Sequence, residues 1–504
     1  MKKLTLLIAP MAFVLVFFVL PVGNTFANFL RPSELFDVLS SRSMIAVMWF
    51  SIWQATISTV ATLVIGIPAT WALSRFRFRG ARIAHGILTA PFLLPSVVVA
   101  AGVLAINDSQ GVMPIIWAHV IFNVAVVLRV VGPRWALLDE RIENAASTLG
   151  ARPSQVFAHV VLPQISRTIV SASALIFVYC FTSFGVIAIL GGVSHRTMES
   201  EIFIQAVRLG DTKTATALAA VQAVIVGSVL FLTHRFAGSA TLALQIRTPR
   251  ALSTKPRNRF IVVLFACATC AMVSAPMIAT IHRSFYARGE FSTAAWRSVF
   301  SGNLPSLAIS THHVIATSLV FALTAAIVCV PLALLAAMAL STKQTLLGVV
   351  TSLPLAISAA TVGIGLIITF DSDPIAWRSQ QWLIPVIHAL IALPLAIRVL
   401  EPAISSVPPP LRHAAATLGA NPWLTWIRVE LPIIKPALLR ASGLAMATSL
   451  GEFGATSFLS RTGSTTLPLA IAQMLGRPGV AVQQAGFALA SLMIIITVGI
   501  MSRA

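Results

Sequence analysis

Few side chains in this sequence are equipped for chemistry, and they are scattered. Glu452, in Gly451-Glu452-Phe453-Gly454, is the one acid that falls inside a long apolar run rather than at its end. A carboxylate in that setting must face a partner or water, so it either attracts a cationic solute or locks a helix by hydrogen bonding. His119 and His388 also sit in apolar runs, but a proton relay needs a carboxylate in the same runs and none is there. Hydrogen-bonded packing is the reading their surroundings favour. Cys180, Cys267, Cys270 and Cys329 are likewise within apolar runs, and Cys267 with Cys270 lacks the His, Asp or second Cys pair that a metal would need. They read as small packing residues, and no metal site is expected. No His/Asp/Glu or Ser/Lys cluster stands at catalytic spacing, and no Gly-x-x-x-x-Gly-Lys-Ser/Thr phosphate cradle occurs. These residues argue against an enzyme; no catalytic residue is expected, and no cofactor bound by this chain.

The elements that position these residues are membrane helices. The chain has 504 residues, 57% hydrophobic and only 10% charged, with a mean hydropathy of +0.90. A soluble domain carries about 25% charged residues, so the composition is that of a polytopic membrane protein. Twelve runs are long enough to cross the hydrocarbon core, at roughly 4–22, 46–73, 87–107, 112–132, 165–190, 215–234, 260–282, 313–340, 345–370, 382–401, 434–459 and 481–502. Backbone amides in lipid must pair within their own segment, which makes these runs helices. Pro68, Pro95, Pro331 and Pro354 predict kinks. The first run is longer than the roughly 7–15 apolar residues of a signal peptide and reads as an uncleaved span.

The net charge of +20 would suggest nucleic acid in a soluble chain. Here the loops explain it. With the N-terminus inside, 24 of the 35 Lys and Arg fall on the inner side and 11 on the outer. Both termini are therefore expected in the cytoplasm. The polar stretch near the midpoint, residues 241–259, reads as a cytoplasmic linker between halves 1–240 and 260–504.

Those halves are repeats. Residues 145–163 and 414–432 match without a gap at a spacing of 269, with 10 of 19 positions identical. His119 and His388, Arg129 and Arg398, and Phe184-Gly185 and Phe453-Gly454 share that spacing; Pro91 and Gly102 pair with Pro354 and Gly365 at 263. An even number of spans per half places both copies in one orientation, so the halves form two parallel six-helix repeats.

The two matched stretches are polar islands in an apolar chain, both on the side the charges mark as cytoplasmic (coupling loops 139–163 and 405–432). Gly150 and Gly419 stand where a helix C-terminus needs a left-handed residue. Asn421-Pro422 reads as an N-cap with a first-turn proline, and Arg152-Pro153 as a weaker version. Each island is then helix, sharp turn, short helix. On the second helix Val156, Phe157 and Val160 share a face, as do Thr425, Trp426 and Val429. An apolar face on a short exposed loop suits a partner's groove.

The pattern Ala-Ala, three residues, Gly, nine residues, Val, one residue, Leu-Pro resembles the EAA signature of permease subunits of binding-protein-dependent ABC importers. It matches at Ala145, Ala146, Gly150, Val160, Leu162 and Pro163, and again at Ala414, Ala415, Gly419, Val429, Leu431 and Pro432. Asn144 and His413 stand where the family has Glu. The resemblance implies an all-α type I permease fold of twelve transmembrane helices in a prokaryotic plasma membrane. It also implies that the two loops dock on two copies of a nucleotide-binding ATPase subunit, which holds ATP and Mg, and that an extracytoplasmic solute-binding protein delivers the solute. Phe157 and Trp426 join the coupling set as the expected contact aromatics. A fused two-half chain is similar to the thiamine and ferric-iron permeases. Residues 118–123 and 175–184, followed by Leu190-Gly191-Gly192, resemble the thiamine group more closely. Glu452, its repeat counterpart Ser183, and the paired Phe184 and Phe453 are the expected path residues. A secondary transporter, the main rival, would need coupling groups at mid-membrane, of which Glu452 is almost the only one.

Overall fold

The computed structural model describes residues 5–76, 78–237, 256–287, 289–302, 309–340, 358–370, 380–461 and 463–503. The described residues are almost entirely helical; the exception is a hairpin of β1 (Tyr286–Ala287) against β2 (Glu290–Phe291). Nine helices among them are long and apolar enough to cross a bilayer. They are α1 (Leu6–Phe29), α2 (Arg42–Arg75), α5 (Val112–Ala136), α7 (Pro153–Phe181), α9 (Thr212–Thr233), α10 (Phe260–Phe285), α11 (Thr311–Leu340), α13 (Leu383–Ser405) and α17 (Val480–Ile500). Two shorter apolar pieces, α3 (Ala81–Phe92) and α4 (Ser96–Ile106), meet at 105° and form a broken span or a re-entrant loop. Of the expected run 345–370, only α12 (Ala359–Phe370) is described; Pro354 lies outside the described residues. So does most of the expected linker, whose last residues, 256–259, instead begin the helix that continues as α10.

Two expected spans are shorter than their apolar runs. The run 165–190 breaks after Phe181, and a separate helix, α8 (Gly185–Leu190), follows. The run 434–459 breaks after Gly451 and resumes as α16 (Gly454–Leu459). Polar side chains bond to the backbone at both breaks. Thr182 gives both its N–H and its hydroxyl to the Val178 carbonyl, at 2.9 and 2.8 Å. Glu452 Oε1 accepts the Ala455 N–H at 2.9 Å. Hydropathy alone registers neither device.

A second departure has one cause at three places. Of the five-residue π turns among the described residues, Leu15–Val19, Phe157–Val161 and Trp426–Glu430 each have a proline two residues on, Pro21, Pro163 and Pro432; the fourth, Ile204–Arg208, ends its helix and has none. A proline inside an α-helix removes one N–H and clashes with the carbonyl four residues back. Widening that turn by one residue relieves the clash without breaking the helix. The short second helix expected of each polar island is therefore the beginning of the following span. In the first island that span is α7; in the second it is α15 (422–451).

The helices cluster into two compact units, Leu39–Glu201 with Val224–Arg283, and Met1–Val38 with Ile202–Ala223 and Ser284–Ala504. At the centre of the first, α2, α5 and α7 pack pairwise; at the centre of the second, α11, α13 and α15 do the same. Each unit also contains the first span of the other half of the sequence. In the first unit α10 crosses α4 so closely that a Cβ on Gly102 would lie 2.6 Å from the Pro276 carbonyl oxygen. In the second, a Cβ on Gly365 of α12 would lie 2.9 Å from the Pro21 carbonyl carbon of α1. Gly102 and Gly365 are the pair already matched by the repeat, and contact with backbone leaves no flexible group to move aside.

Candidate coupling loops and path residues

Each polar island is an ordered helical corner. In the first, α6 (Glu140–Thr148) is capped by Asp139, whose carboxylate accepts the Arg141 N–H at 3.0 Å. In the second, α14 (Pro409–Thr417) opens on prolines. Both helices end in the same Schellman arrangement. Ala151 N–H donates to Ala146 O and Gly150 N–H to Ser147 O; Ala420 N–H donates to Ala415 O and Gly419 N–H to Ala416 O. Gly150 and Gly419 take φ of 87° and 78°, the left-handed values the corner requires. The next helix starts at once. Asn421 Oδ1 accepts the Leu424 N–H at 2.8 Å, and the Arg152 N–H donates to Gln155 Oε1 at 2.8 Å. Ala145 and Ala414 face solvent, whereas Ala146 is half-buried and Ala415 buried. Leu162, Pro163 and Pro432 are exposed and Leu431 is half-buried, at the foot of α7 and α15.

The apolar face of the second helix is not free, contrary to expectation. Val156 and Val161 are buried, and Phe157, 39% exposed, stacks on the buried Trp135 of α5 with ring centroids 6.2 Å apart. A helix that runs on into its own span has its own bundle to pack against, which is the physical reason. Between them lies a groove of about 460 Å³ lined by Pro68, Trp71, Trp135, Asn144 and Phe157. Trp426 is half-buried, and Trp423 rather than Trp426 is the exposed ring of the second loop, at 69%. The most exposed large apolar side chains of both loops are Leu149 at 89% and Leu418 at 88%, repeat mates at the tip of each corner. The sequence signal was available: an apolar residue immediately before the turn glycine, inside a polar island, in both copies.

The ion pairs of the two loops differ. Glu143 pairs with Arg75 at the end of α2, and Arg75 also donates to the Leu138 carbonyl at 3.3 Å. At the equivalent position of the second loop Arg412 forms a two-pronged pair with Glu430, at 2.9 and 3.0 Å. The usual acid positions, Asn144 and His413, are exposed in both.

Of the expected path residues, Phe184 and Phe453 are buried within their own units at the breaks, and Ser183 is half-buried beside Phe184. Glu452 is not inside a span but in the break between α15 and α16, where its carboxylate caps α16. It belongs to a chain of hydrogen bonds. The Thr456 hydroxyl donates to the Glu452 carbonyl at 3.0 Å, and His388 Nε2 lies 2.9 Å from that hydroxyl. Ser449 Oγ lies 2.7 Å from His388 Nδ1. With Thr456 donating onward, Nε2 carries the imidazole proton and Ser449 donates to Nδ1. His119 meets Ser58 Oγ at 3.1 Å through Nδ1, while its buried Nε2 has no hydrogen-bond partner among the described residues.

One further side chain is unusual for a spanning helix. Arg129, exposed on α5, places its guanidinium carbon 5.2 Å from the centre of the Phe92 ring. Phe92 lies at the break between α3 and α4, and its ring neighbours Phe122 at 5.3 Å and Tyr179 at 6.1 Å. Among the described residues no carboxylate forms an ion pair with Arg129. An arginine at the centre of a spanning helix costs about 2.5–3.5 kcal/mol, and less toward its end; a cation–π contact returns roughly 0.5–2 kcal/mol.

Two stretches of the chain, residues 62–237 and 329–503, each match the family described as binding-protein-dependent transport system inner membrane component, and together they cover more than half of it. The chain belongs to that family. As a family member it is a multi-pass component of the inner membrane, a transport subunit rather than an enzyme, and it works with an ATPase and a binding protein. The double match carries the all-α permease fold with two repeats. The chain is 26% identical over 463 residues to the thiamine transport system permease protein ThiP of Salmonella typhimurium, covering 85% of this chain and 83% of that protein. It is 23% identical over 488 residues to the probable ABC transporter permease protein y4fN of Sinorhizobium fredii, covering 87% and 84%. A shorter match, 29% over 160 residues, is to the putative 2-aminoethylphosphonate transport system permease protein PhnV of Salmonella typhimurium, covering 32% and 59%.

Proposed function

We propose that this permease forms the translocation path of an ATP-driven importer for thiamine, with its two helical corners docked on two copies of the ATPase. One observation carries the docking: the motif occurs twice, ends each time in the same hydrogen-bonded corner, and holds Leu149 and Leu418 out at 89% and 88% exposure. An apolar side chain held rigidly at the tip of a short helix suits a groove on a partner. ATP and Mg bind on that partner, consistent with the absence of any phosphate-cradling loop in this sequence. Both termini lie in the cytoplasm, in keeping with the Lys and Arg distribution. Similarity to ThiP over most of the chain supports thiamine.

The test is reconstitution with the cognate ATPase and binding protein in proteoliposomes. Thiamine-loaded binding protein is expected to stimulate ATP hydrolysis, and unloaded binding protein much less. Equal stimulation by both, or stimulation by ferric ion alone, refutes thiamine. Gradient-driven uptake by the permease alone refutes the ATP-driven reading altogether.

A further inference from the structure

We propose that the break between α3 and α4 is an anion subsite, at which the Arg129 guanidinium, held on the Phe92 ring, receives an oxyanion group carried by the solute. An exposed arginine in a spanning helix needs water, a counter-charge or an interface, and the structure narrows these. Arg129 lies seven residues before the C-terminus of α5, about 10 Å along the axis. A flexible arginine can reach the headgroup level from there. It does not: its guanidinium lies on Phe92, a ring that also meets Phe122, near the middle of α5, and Tyr179 of α7. The guanidinium thus turns from the helix end toward the level of Phe122, at the bend between α3 and α4, and transporters place solute sites at interrupted helices.

The mode of holding leaves the recognition chemistry available. Stacking engages the flat face of a guanidinium and leaves its edge, which carries the N–H donors. The Arg129 side chain makes no hydrogen bond among the described residues, whereas Arg75, Arg283, Arg412 and Arg440 all do. A rigid fork of unused donors matches phosphate, phosphonate or carboxylate in a two-pronged geometry. Arg398, the repeat mate, is also exposed on α13, while residue 354, the repeat mate of Pro91, lies outside the described residues. Thiamine itself carries no oxyanion, so on the thiamine reading the group received here is that of a phosphate ester of it; the subsite rests on this chain being a solute path and not on that reading.

The experiment titrates inorganic phosphate into the purified full-length permease in neutral detergent, read by calorimetry. Wild type is expected to bind at a site that Arg129→Ala and Arg129→Gln weaken about tenfold or more, the loss of one charge-assisted pair. Arg129→Lys, which keeps the charge without the fork, is expected to fall between. Arg79→Ala and Arg82→Ala, on the cytoplasmic side of the break, are expected to bind as wild type does. Loss of binding in these two instead of at Arg129 overturns the subsite, as does the absence of binding in wild type. Should the Ala and Gln variants fail to fold, Arg129→Lys carries the test, and an affinity equal to wild type overturns it. A second arm repeats the titration in nanodiscs of neutral lipid and of phosphatidylglycerol. Retained affinity in both supports a solute subsite. Competition by phosphatidylglycerol at Arg129 assigns the site to a lipid headgroup and overturns it. Neither arm contains ATPase, binding protein or thiamine, so the subsite and the thiamine reading fail separately.

Discussion

The two helical corners share a sequence, a backbone and a tip, and are braced in opposite ways. Position 143 is Glu and its repeat mate at 412 is Arg. Glu143 reaches back to Arg75 and so ties the first corner to α2, a central helix of its bundle. Arg412 reaches forward to Glu430 and ties α14 to the foot of α15, so the second corner is braced within itself. The first corner also stacks Phe157 on Trp135 of α5; the repeat mate of Phe157, Trp426, is half-buried, and the second corner adds an exposed Trp423 where the first has Ser154. What stayed the same is the surface presented outward; what changed is the connection to the membrane. A rotation of the first corner pulls directly on α2 through an ion pair, whereas the ion pair of the second acts on the foot of α15.

Substitutions at the shared tip test the similarity and are expected to have the largest effect. Leu149→Asp and Leu418→Asp should each weaken binding of the ATPase by about 2 kcal/mol or more, roughly thirtyfold, as loss of an interface hot spot does. Co-purification and stimulated ATP hydrolysis report it, with thermal unfolding of the permease unchanged. Normal assembly of both variants would remove the corners from the docking role. The braces test the difference. Arg75→Ala leaves Glu143 mostly buried without its partner and should cost about 2–3 kcal/mol in stability of the first bundle. Arg412→Ala removes a half-exposed pair and should cost under about 1 kcal/mol. Equal shifts in unfolding temperature would erase the contrast drawn above. Next in size are the aromatics. Phe157→Ala should lower stability through lost stacking on Trp135, by about 1–2 kcal/mol. Trp423→Ala should leave stability unchanged and weaken only ATPase binding, so the two readouts separate the rings. Smallest is Glu452. Glu452→Ala removes the cap of α16 and should cost about 1 kcal/mol, while Glu452→Gln, which can still accept from Ala455, should cost little. A transport defect in Glu452→Gln at unchanged stability would mean that the carboxylate charge, not the cap, matters.

Much of this was legible in advance because the bilayer restricts backbone to helices and the repeat supplies every feature twice. Gly150 and Gly419 could be placed in a left-handed turn from their position after an Ala-Ala helix, and Asn421-Pro422 as a helix start from turn chemistry alone. Gly102 and Gly365 could be paired, but not explained, because the backbone each touches comes from far away in the sequence. The break at Glu452 was missed since hydropathy averages over a residue that caps a helix. The packing of Phe157 on Trp135 is not legible in the sequence, because nothing in it shows that the short helix runs on past the proline at 163. A π turn lets the helix continue past it, and continuation gives that face a bundle to bury against. Leu149 and Leu418 were overlooked because a leucine is usually read as core.

The exchange of first spans between the compact units has a consequence for biogenesis. Helix α4 enters the membrane with its Gly102 face uncovered, and the helix that fits it, α10, is synthesised only after the whole of the first repeat. Helix α1 waits longer still, since its partner α12 comes from the middle of the second repeat. The first helix to leave the ribosome is thus among the last to find its place. Neither half of the chain completes a unit by itself: the first unit closes only once the chain has been made to residue 283, beyond its own half, and the second only at the end of translation.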